Sequence, residues 1–179
     1  MDKLSSFVRE VEGDCAAPQL LPLGSTGAVI LAEAVASFLS ASLVELDLGG
    51  SYIQEGGGRA LEGTLHLNTK RTSLNLGYNR LGEGGGRALA ETLRLNASLA
   101  SLNLGDNGLG EGEGRALAQT LRLKTTLTSL NMGRNNLGEG GGRALAETLR
   151  LNANLSLLIL DRTLRHALLG QAWRDREGH

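Results

Sequence analysis

The segment with the clearest chemical potential is glycine-rich: residues 82–91 read GEGGGRALAE. A glycine-rich segment that begins a helix is a common phosphate site, because free backbone N–H groups and the helix dipole attract an anion. Here Glu83 stands where the anion would lie, and no Gly-Lys-Ser/Thr sequence follows. The motif therefore does not favour nucleotide binding.

Residues that could support catalysis or bind a metal ion are few. The three histidines, His66, His166 and His179, have no serine or cysteine placed predictably beside them. Cys15 is the only cysteine, so a disulfide within the chain and a zinc site with two or more thiolates are excluded. We expect a protein that is not an enzyme and that uses no metal and no cofactor.

The composition narrows the classes of partner. The 179 residues carry a formal net charge of −1, so no global field attracts nucleic acid or an acidic membrane. Only 3% of the residues are aromatic, which leaves few rings to stack on bases. The sequence has no secretory signal, and its apolar stretch at 27–44 contains Glu33 and is too short to span a bilayer. We expect a soluble cytoplasmic protein.

The glycine-rich motif is part of a repeat. Residues 71–98, 99–126 and 127–154 align without gaps at a period of 28 and form the second, third and fourth repeats. A looser first repeat begins at Leu43, and a truncated fifth repeat begins at Leu155. A segment that recurs in every repeat is architectural. We interpret its glycines as the turn from a strand into a helix.

Two hydrophobic periods alternate within each repeat. The first part alternates apolar and polar residues, as at Leu102 and Leu104, which predicts a short strand with one buried face. The second part, from about Gly85 to Leu95 in the second repeat, follows a helical period. On its polar side we expect Arg87 to pair with Glu91 one turn away. Strands that alternate with helices predict a parallel sheet, and stacked repeats bury one continuous core.

The spacing of the leucines resembles a known motif. Residues 99–109 fit LxxLxLxxNxL, and residues 117–121 fit LAxxL, a pattern similar to a leucine-rich repeat of the ribonuclease-inhibitor-like class. That class also supplies repeats to NOD-like receptors and to the Ran GTPase-activating protein. The resemblance implies an α/β solenoid shaped like a horseshoe, with parallel strands on the concave face and helices on the convex face. We expect an N-terminal segment or cap at 1–26, the repeat array at 27–160, and a C-terminal capping helix and tail at 161–179.

The resemblance also assigns a structural role to one asparagine in each repeat. Asn79, Asn107 and Asn135 stand at the asparagine position of the motif, where the side chain is buried and hydrogen-bonds neighbouring backbone. Ser51 and Thr163 occupy this position in the first and fifth repeats. We therefore expect the asparagine ladder to weaken at both ends of the array.

Positions that differ between nearly identical repeats are candidates for recognition. Counted from the first leucine of each repeat, positions 8 and 10 vary most, and we expect them on one rim of the strands. We expect positions 3 and 5 to face the concave side. The resulting candidates for partner binding are Tyr52, Asn75, Tyr78, Arg80, Asn103, Asp106, Asn131, Arg134 and Arg162. Tyrosine and arginine are frequent interface anchors, although neutral variation of an exposed edge would give the same pattern.

The fifth repeat differs from the others in polarity. Leu157 and Ile159 stand where earlier repeats have serine and asparagine. Because an exposed apolar end strand invites association, we expect the tail around Leu168 and Trp173, or a partner, to cover them. We expect a monomer, with end-to-end association through Leu157 and Ile159 as the alternative.

These observations favour a non-enzymatic module that binds a protein partner, of unknown identity, through the concave face and the rim. The resemblance leaves two alternatives. One is a regulator similar to the Ran-type GTPase activator, for which Arg80 or Arg134 would be the candidate arginine. The other is a repeat fragment of a larger protein of the NOD-like receptor type.

Overall fold

Strands and helices alternate along the chain. The computed structural model describes residues 26–27, 29–30, 44–65, 72–123 and 126–161. The elements are β1 (Glu45–Asp47), α1 (Gln54–Leu65), β2 (Ser73–Asn75), α2 (Gly82–Leu95), β3 (Ser101–Asn103), α3 (Glu111–Leu123), β4 (Ser129–Asn131), α4 (Gly138–Leu151) and β5 (Leu157–Ile159). The predicted α/β class is confirmed. The cap predicted at 1–26 and the capping helix predicted at 161–179 lie almost entirely outside the described residues.

The five strands form one parallel sheet in chain order. Its register places equivalent residues of successive repeats side by side, so that one leucine stands at the centre of every strand: Leu46, Leu74, Leu102, Leu130 and Leu158. In β1 to β4 this leucine is buried, whereas the residues on either side of it are at least partly exposed. The sheet therefore has one polar face and one face that packs on the helices, as the alternation of apolar residues predicted.

Leucines from the sheet and the helices form a single core. In the second repeat, Leu74 lies in β2 and Leu76 directly after it, while Leu89 and Leu93 come from α2. Each of these leucines is at most 3% exposed. Burial of one leucine side chain contributes about 1.5–3 kcal/mol. Because the helices of a repeat pack on those of the next, this core is shared between repeats, and stability is approximately a sum over neighbouring interfaces.

The glycine run lies inside the helix, which corrects its predicted role as a turn. α2 begins at Gly82 and contains residues 84–86, and Gly82 alone among these glycines has a positive φ, of 58°. The run instead lets helices approach closely. A methyl group at Gly58 would lie 3.1 Å from the Cα of Gly85, and one at Gly114 would lie 3.1 Å from the Cα of Gly141. The glycines therefore allow neighbouring backbones to touch where side chains would separate them.

Glu113 interrupts this pattern between α2 and α3. It replaces the glycine that the other repeats carry at the same position, and it is only 1% exposed. Its side chain fills the space beside Gly86, where an added methyl group would lie 2.6 Å from the Cγ of Glu113 and 2.7 Å from the Cδ2 of Leu109. The α2–α3 interface thus contains a side chain where the two adjacent interfaces have backbone contact.

The carboxylate of Glu113 is paired on both sides. Its Oε1 lies 3.2 Å from the Nε of Arg87, and its Oε2 accepts the backbone N–H of Gly110 at 3.1 Å. Burial of the charge is tolerated because both oxygens have partners. The predicted Arg87–Glu91 pair is therefore wrong, and Glu91 instead pairs with Arg94 at 2.9 Å. The partner of Arg87 could not be predicted from spacing along one helix, because Glu113 belongs to the next helix.

Buried asparagine side chains connect the repeats. Asn79, Asn107 and Asn135 are at most 9% exposed. The Oδ1 of Asn107 accepts the N–H groups of Asn79 at 3.0 Å and Leu81 at 3.4 Å, and its Nδ2 donates to the carbonyl of Leu76 at 2.8 Å. Asn135 makes the equivalent bonds one repeat later. Each amide is therefore buried but satisfied, and it fixes the backbone of the preceding repeat.

The series of buried amides ends differently on its two sides. Ser51 takes the equivalent position in the first repeat, and its buried Oγ has no hydrogen-bond partner within the described ranges. After Asn135, the carboxylate of Asp161 accepts the N–H groups of Arg134 and, at 3.2 Å, of Asn135. A carboxylate therefore takes the place of the next asparagine, while Thr163 lies outside the described residues.

Replacement of a central ladder residue should destabilise the array. Asn107→Ala leaves the N–H groups of Asn79 and Leu81 without their side-chain acceptor. It also removes one of the two side-chain donors to the carbonyl of Leu76, which still accepts from Asn79. We expect the free energy of unfolding to fall by roughly 2–4 kcal/mol, since each buried unpaired group costs about 1–3 kcal/mol. Urea denaturation followed by circular dichroism measures the change. The matched control is Asn136→Ala at an exposed site, where we expect a change within about 0.5 kcal/mol; equal losses in the two variants would contradict the ladder.

Replacement of two helical glycines should give effects of opposite sign. Gly86→Ala forces a methyl group against Glu113 and Leu109, and we expect it to lower the free energy of unfolding by about 1–3 kcal/mol. At Gly112 the nearest atom to an added methyl is the Nη2 of Arg87 at 3.9 Å, so Gly112→Ala should raise stability by about 0.4–1 kcal/mol. Thermal and urea unfolding of both variants test this. Stabilisation by both replacements would show that the glycine run does not serve helix packing.

Candidate functional site

The backbone adopts left-handed conformations immediately after the strands. Six non-glycine residues have φ between 54° and 61°: Tyr52, Gln54, Tyr78, Arg80, Asp106 and Arg134. Such a conformation costs a residue with a side chain roughly 1–2 kcal/mol, and it is uncommon for bulky types. Five of the six are sequence-predicted site residues, and we call these five the rim. Side-chain types that are unfavourable for the backbone are a feature of functional sites.

Three side chains of the rim converge although they come from three different repeats. The guanidinium of Arg134 lies 6.0 Å from the ring centroid of Tyr78, and its Nη1 donates to the Tyr78 hydroxyl at 3.3 Å. The same Nη1 is 3.8 Å from the Oδ2 of Asp106, whose repeat lies between the other two. All three side chains remain about half or more exposed to solvent. Together they present an aromatic ring and two opposite charges in one place.

A second arginine–tyrosine pair lies nearer the start of the array. The guanidinium of Arg80 is 5.2 Å from the ring centroid of Tyr52. A cation–π contact at an exposed site contributes about 0.5–1 kcal/mol, which is enough to favour one side-chain position. Both arginines of the described rim are therefore held against tyrosine rings.

The strand asparagines that the sequence predicted as partner-binding form hydrogen bonds with one another. The Nδ2 of Asn103 donates to the Oδ1 of Asn75 at 2.8 Å, and the Nδ2 of Asn75 donates to Asp47 at the same distance. Each Oδ1 also accepts a backbone N–H two residues further on, as does that of Asn131 from Gly133 at 3.0 Å. These amides are thus fixed in orientation, and part of their hydrogen-bonding capacity remains for a ligand.

A cleft of about 300 Å³ opens where the rim meets the polar face of the sheet. Tyr78, Asp106 and Arg134 form one side, and Asn103 and Asn131 lie in its lining. Ile159 and Leu160 of the fifth repeat add an apolar wall, and Ile159 is 44% exposed. The cleft combines charged, amide and apolar groups, which is the composition expected of a site that binds a polypeptide segment.

Grooves between the helices are less suited to recognition. Their arginines and glutamates pair within the chain, as at Arg59–Glu55 and Arg143–Glu139, with separations of 2.5 and 2.6 Å. These charges neutralise each other on a surface that the repeats make uniform. Within the described ranges, no group of three or more histidine, cysteine or acidic side chains could hold a metal ion.

The structure places eight of the nine predicted site residues, and Arg162 lies outside the described residues. Tyr78, Asp106, Arg134, Asn103 and Asn131 meet at the cleft. Tyr52 and Arg80 form a separate pair, and Asn75 is part of the hydrogen-bonded row of strand side chains. The sequence did not predict Ile159, Leu160 and Asp161 as part of the same site, although their departure from the repeat pattern was visible. In the described part of the chain, no helix is both long and apolar enough to cross a membrane.

Comparisons with known proteins agree with the repeat architecture. A family model described as Leucine Rich repeat matches residues 68–90 and 124–146. No curated protein matches the chain. The matched segments are parts of the second and fourth repeats with their preceding residues, in equivalent register.

Two solved structures share the fold. One is Leiomodin-1 Actin-Binding Site 2, with 22% identity, coverage of 82% of this chain and 90% of that chain, and a TM-score of 0.65. The other is the tropomodulin C-terminal domain from Caenorhabditis elegans, with 15% identity, coverage of 83% and 93%, and a TM-score of 0.68. At these identities the likeness concerns the fold alone. The matched segments and the parallel strand–helix architecture make the chain similar to leucine-rich repeat proteins.

Proposed function

We propose that this protein is a non-enzymatic interaction module that binds a protein partner through the polar face of the sheet and the rim. The observation that carries the proposal is the convergence of Tyr78, Asp106 and Arg134 beside an open cleft. Tyrosine and arginine are the side chains that most often dominate binding energy at interfaces. Their placement at left-handed backbone positions favours a selected role over neutral variation of an exposed edge.

Preorganisation of this surface supports the same conclusion. The rim lies next to the buried asparagines, and the strand amides are hydrogen-bonded from repeat to repeat. A partner therefore meets side chains whose backbone is already fixed, which reduces the conformational entropy lost on binding. This face of the sheet is continuous from β1 to β5, polar in β1 to β4 and apolar in β5, so an extended segment could contact several repeats at once.

The proposal also covers the shape of the array, its repeat class, and the location and oligomeric state of the protein. We propose that the array is a horseshoe of the ribonuclease-inhibitor-like class with a 28-residue repeat, its strands on the concave face, and that the protein is a cytoplasmic monomer. The regular register of the parallel strands supports this architecture. The exposed apolar side chains of Leu157 and Ile159 support coverage by the segment at 161–179 or by a partner.

Actin is the first individual partner to test. One structure that shares the fold is named as an actin-binding site, and that likeness is at the level of the fold. Sedimentation of the chain with filamentous actin and gel filtration with monomeric actin are direct measurements. Binding by the unmodified chain that is lost when the rim is altered would identify actin as the partner.

Alteration of the rim should abolish partner binding. We expect affinity capture from cell lysate with the triple variant Tyr78→Ala, Asp106→Ala, Arg134→Ala to recover at least about tenfold less of the specific partners. The variant removes the aromatic ring and the carboxylate of the site, and such anchors typically contribute 1–4 kcal/mol each. Quantitative mass spectrometry measures the captured proteins.

A matched control removes the same number of exposed charged or polar groups from the helices. The variant Glu91→Ala, Arg94→Ala, Arg122→Ala changes side chains that pair on the opposite surface. We expect it to retain the partners of the unmodified chain. Capture profiles that the rim variant leaves unchanged would count against the proposed site.

A further inference from the structure

The charges in the cleft indicate which kind of partner segment it accepts. Of the described residues that line it, Arg134 carries the one positive charge, and Asp106 and Asp161 carry two negative charges. Asp161 accepts backbone N–H groups of Arg134 and Asn135, so its position is fixed. Asp106 is 48% exposed, and among the described residues its carboxylate has only the distant contact to Arg134. The described lining therefore carries a net negative charge, which favours a cationic ligand group over an anionic one.

Arg134 occupies the place that such a cation would take. Its guanidinium contacts the ring and the hydroxyl of Tyr78 and faces Asp106, and these are the contacts that an incoming arginine or lysine would form. The contacts are long, at 6.0 Å to the ring centroid and 3.8 Å to the carboxylate, and the Arg134 side chain is 72% exposed. A group held at these distances in solvent is weakly bound and can be displaced.

An apolar wall lies next to this cation position. Ile159 lines the cleft, and Leu157 precedes it on the same face of β5; they are 44% and 49% exposed. Exposed aliphatic side chains beside a polar site favour an aliphatic group of the ligand. Between the two regions, Asn103 and Asn131 present amides to which a peptide backbone can hydrogen-bond.

We propose, building on the proposed function, that the cleft binds an extended segment of the partner protein in which a basic residue neighbours an aliphatic one. The basic residue lies against Tyr78 and Asp106, and the aliphatic residue lies against Ile159. Arg134 is an internal occupant of the basic position and moves aside when the partner binds. Recognition at this site is therefore a competition between two cations for the same tyrosine and aspartate.

Capped peptides test the proposal directly. The probes are acetyl-Ile-Arg-Ile-Arg-Ile-amide, the same peptide with glutamate in place of arginine, and the same peptide with serine in place of isoleucine. Each is titrated into the full ¹⁵N-labelled chain at low ionic strength and followed by NMR. We expect the arginine–isoleucine peptide to bind most tightly and to shift the side-chain amide signals of Asn103 and Asn131.

Three single variants separate the competing explanations. Asp106→Asn should weaken binding of the arginine–isoleucine peptide by roughly threefold or more, because it removes the charge opposite the cation. Arg134→Ala should tighten binding by roughly two- to fivefold, because the internal competitor is gone. Arg122→Ala, which changes an exposed arginine of α3 on the helical surface, should leave the affinity unchanged. Dispersed amide spectra confirm that each variant is folded.

Three results would overturn the inference that the cleft binds a cationic group. Tighter binding of the glutamate peptide, weaker binding after Arg134→Ala, or no shift of the cleft signals with any peptide would show that the cleft is not a cation position. If the triple rim variant still loses its partners in affinity capture, this inference fails alone. If capture is unchanged as well, the proposed function fails with it.

Discussion

The buried asparagine of each repeat is the interaction on which the rest of the structure depends. Its amide accepts two backbone N–H groups of the preceding repeat and donates to a carbonyl there, as Asn107 does with Asn79, Leu81 and Leu76. These bonds fix the segment that follows each strand, so strands of only three residues keep a regular register. The left-handed backbone beside the asparagines is stabilised by this network, and it directs the rim side chains toward one another.

The helical side and the sheet side of the array are packed by different kinds of contact. On the helical side, glycines let the backbones of α1 and α2, and of α3 and α4, come into contact. On the sheet side, the strand amides bond to one another and leave side chains of variable type at the rim. Regular packing therefore accounts for most of the sequence, and the residues that differ between repeats are concentrated where packing makes no demand on them.

Elements that depend on hydrophobic period could be predicted from the sequence, whereas contacts between repeats could not. The leucine alternation predicted β2 to β4, and the helical period predicted the buried side of α2. The glycine run was misinterpreted because a glycine that allows a turn and a glycine that allows helix contact look alike in sequence. The partner of Arg87 and the approach of Arg134 to Tyr78 depend on how repeats stack, which no local pattern reports. The positive φ values likewise arise from the network and not from the residue types.

Glu113 has a consequence for how the array loses its structure. Nearest-neighbour coupling in a repeat protein determines how many repeats unfold together, and identical interfaces give a single cooperative unit. The second and third repeats are joined through the ion pair of buried Glu113 with exposed Arg87, while the interfaces on either side are joined by backbone contact. We therefore expect local opening to be bounded by the α2–α3 interface, because this interface differs from the two beside it. The exposed contact between Arg134 and Tyr78 spans the same interface on the sheet side of the array.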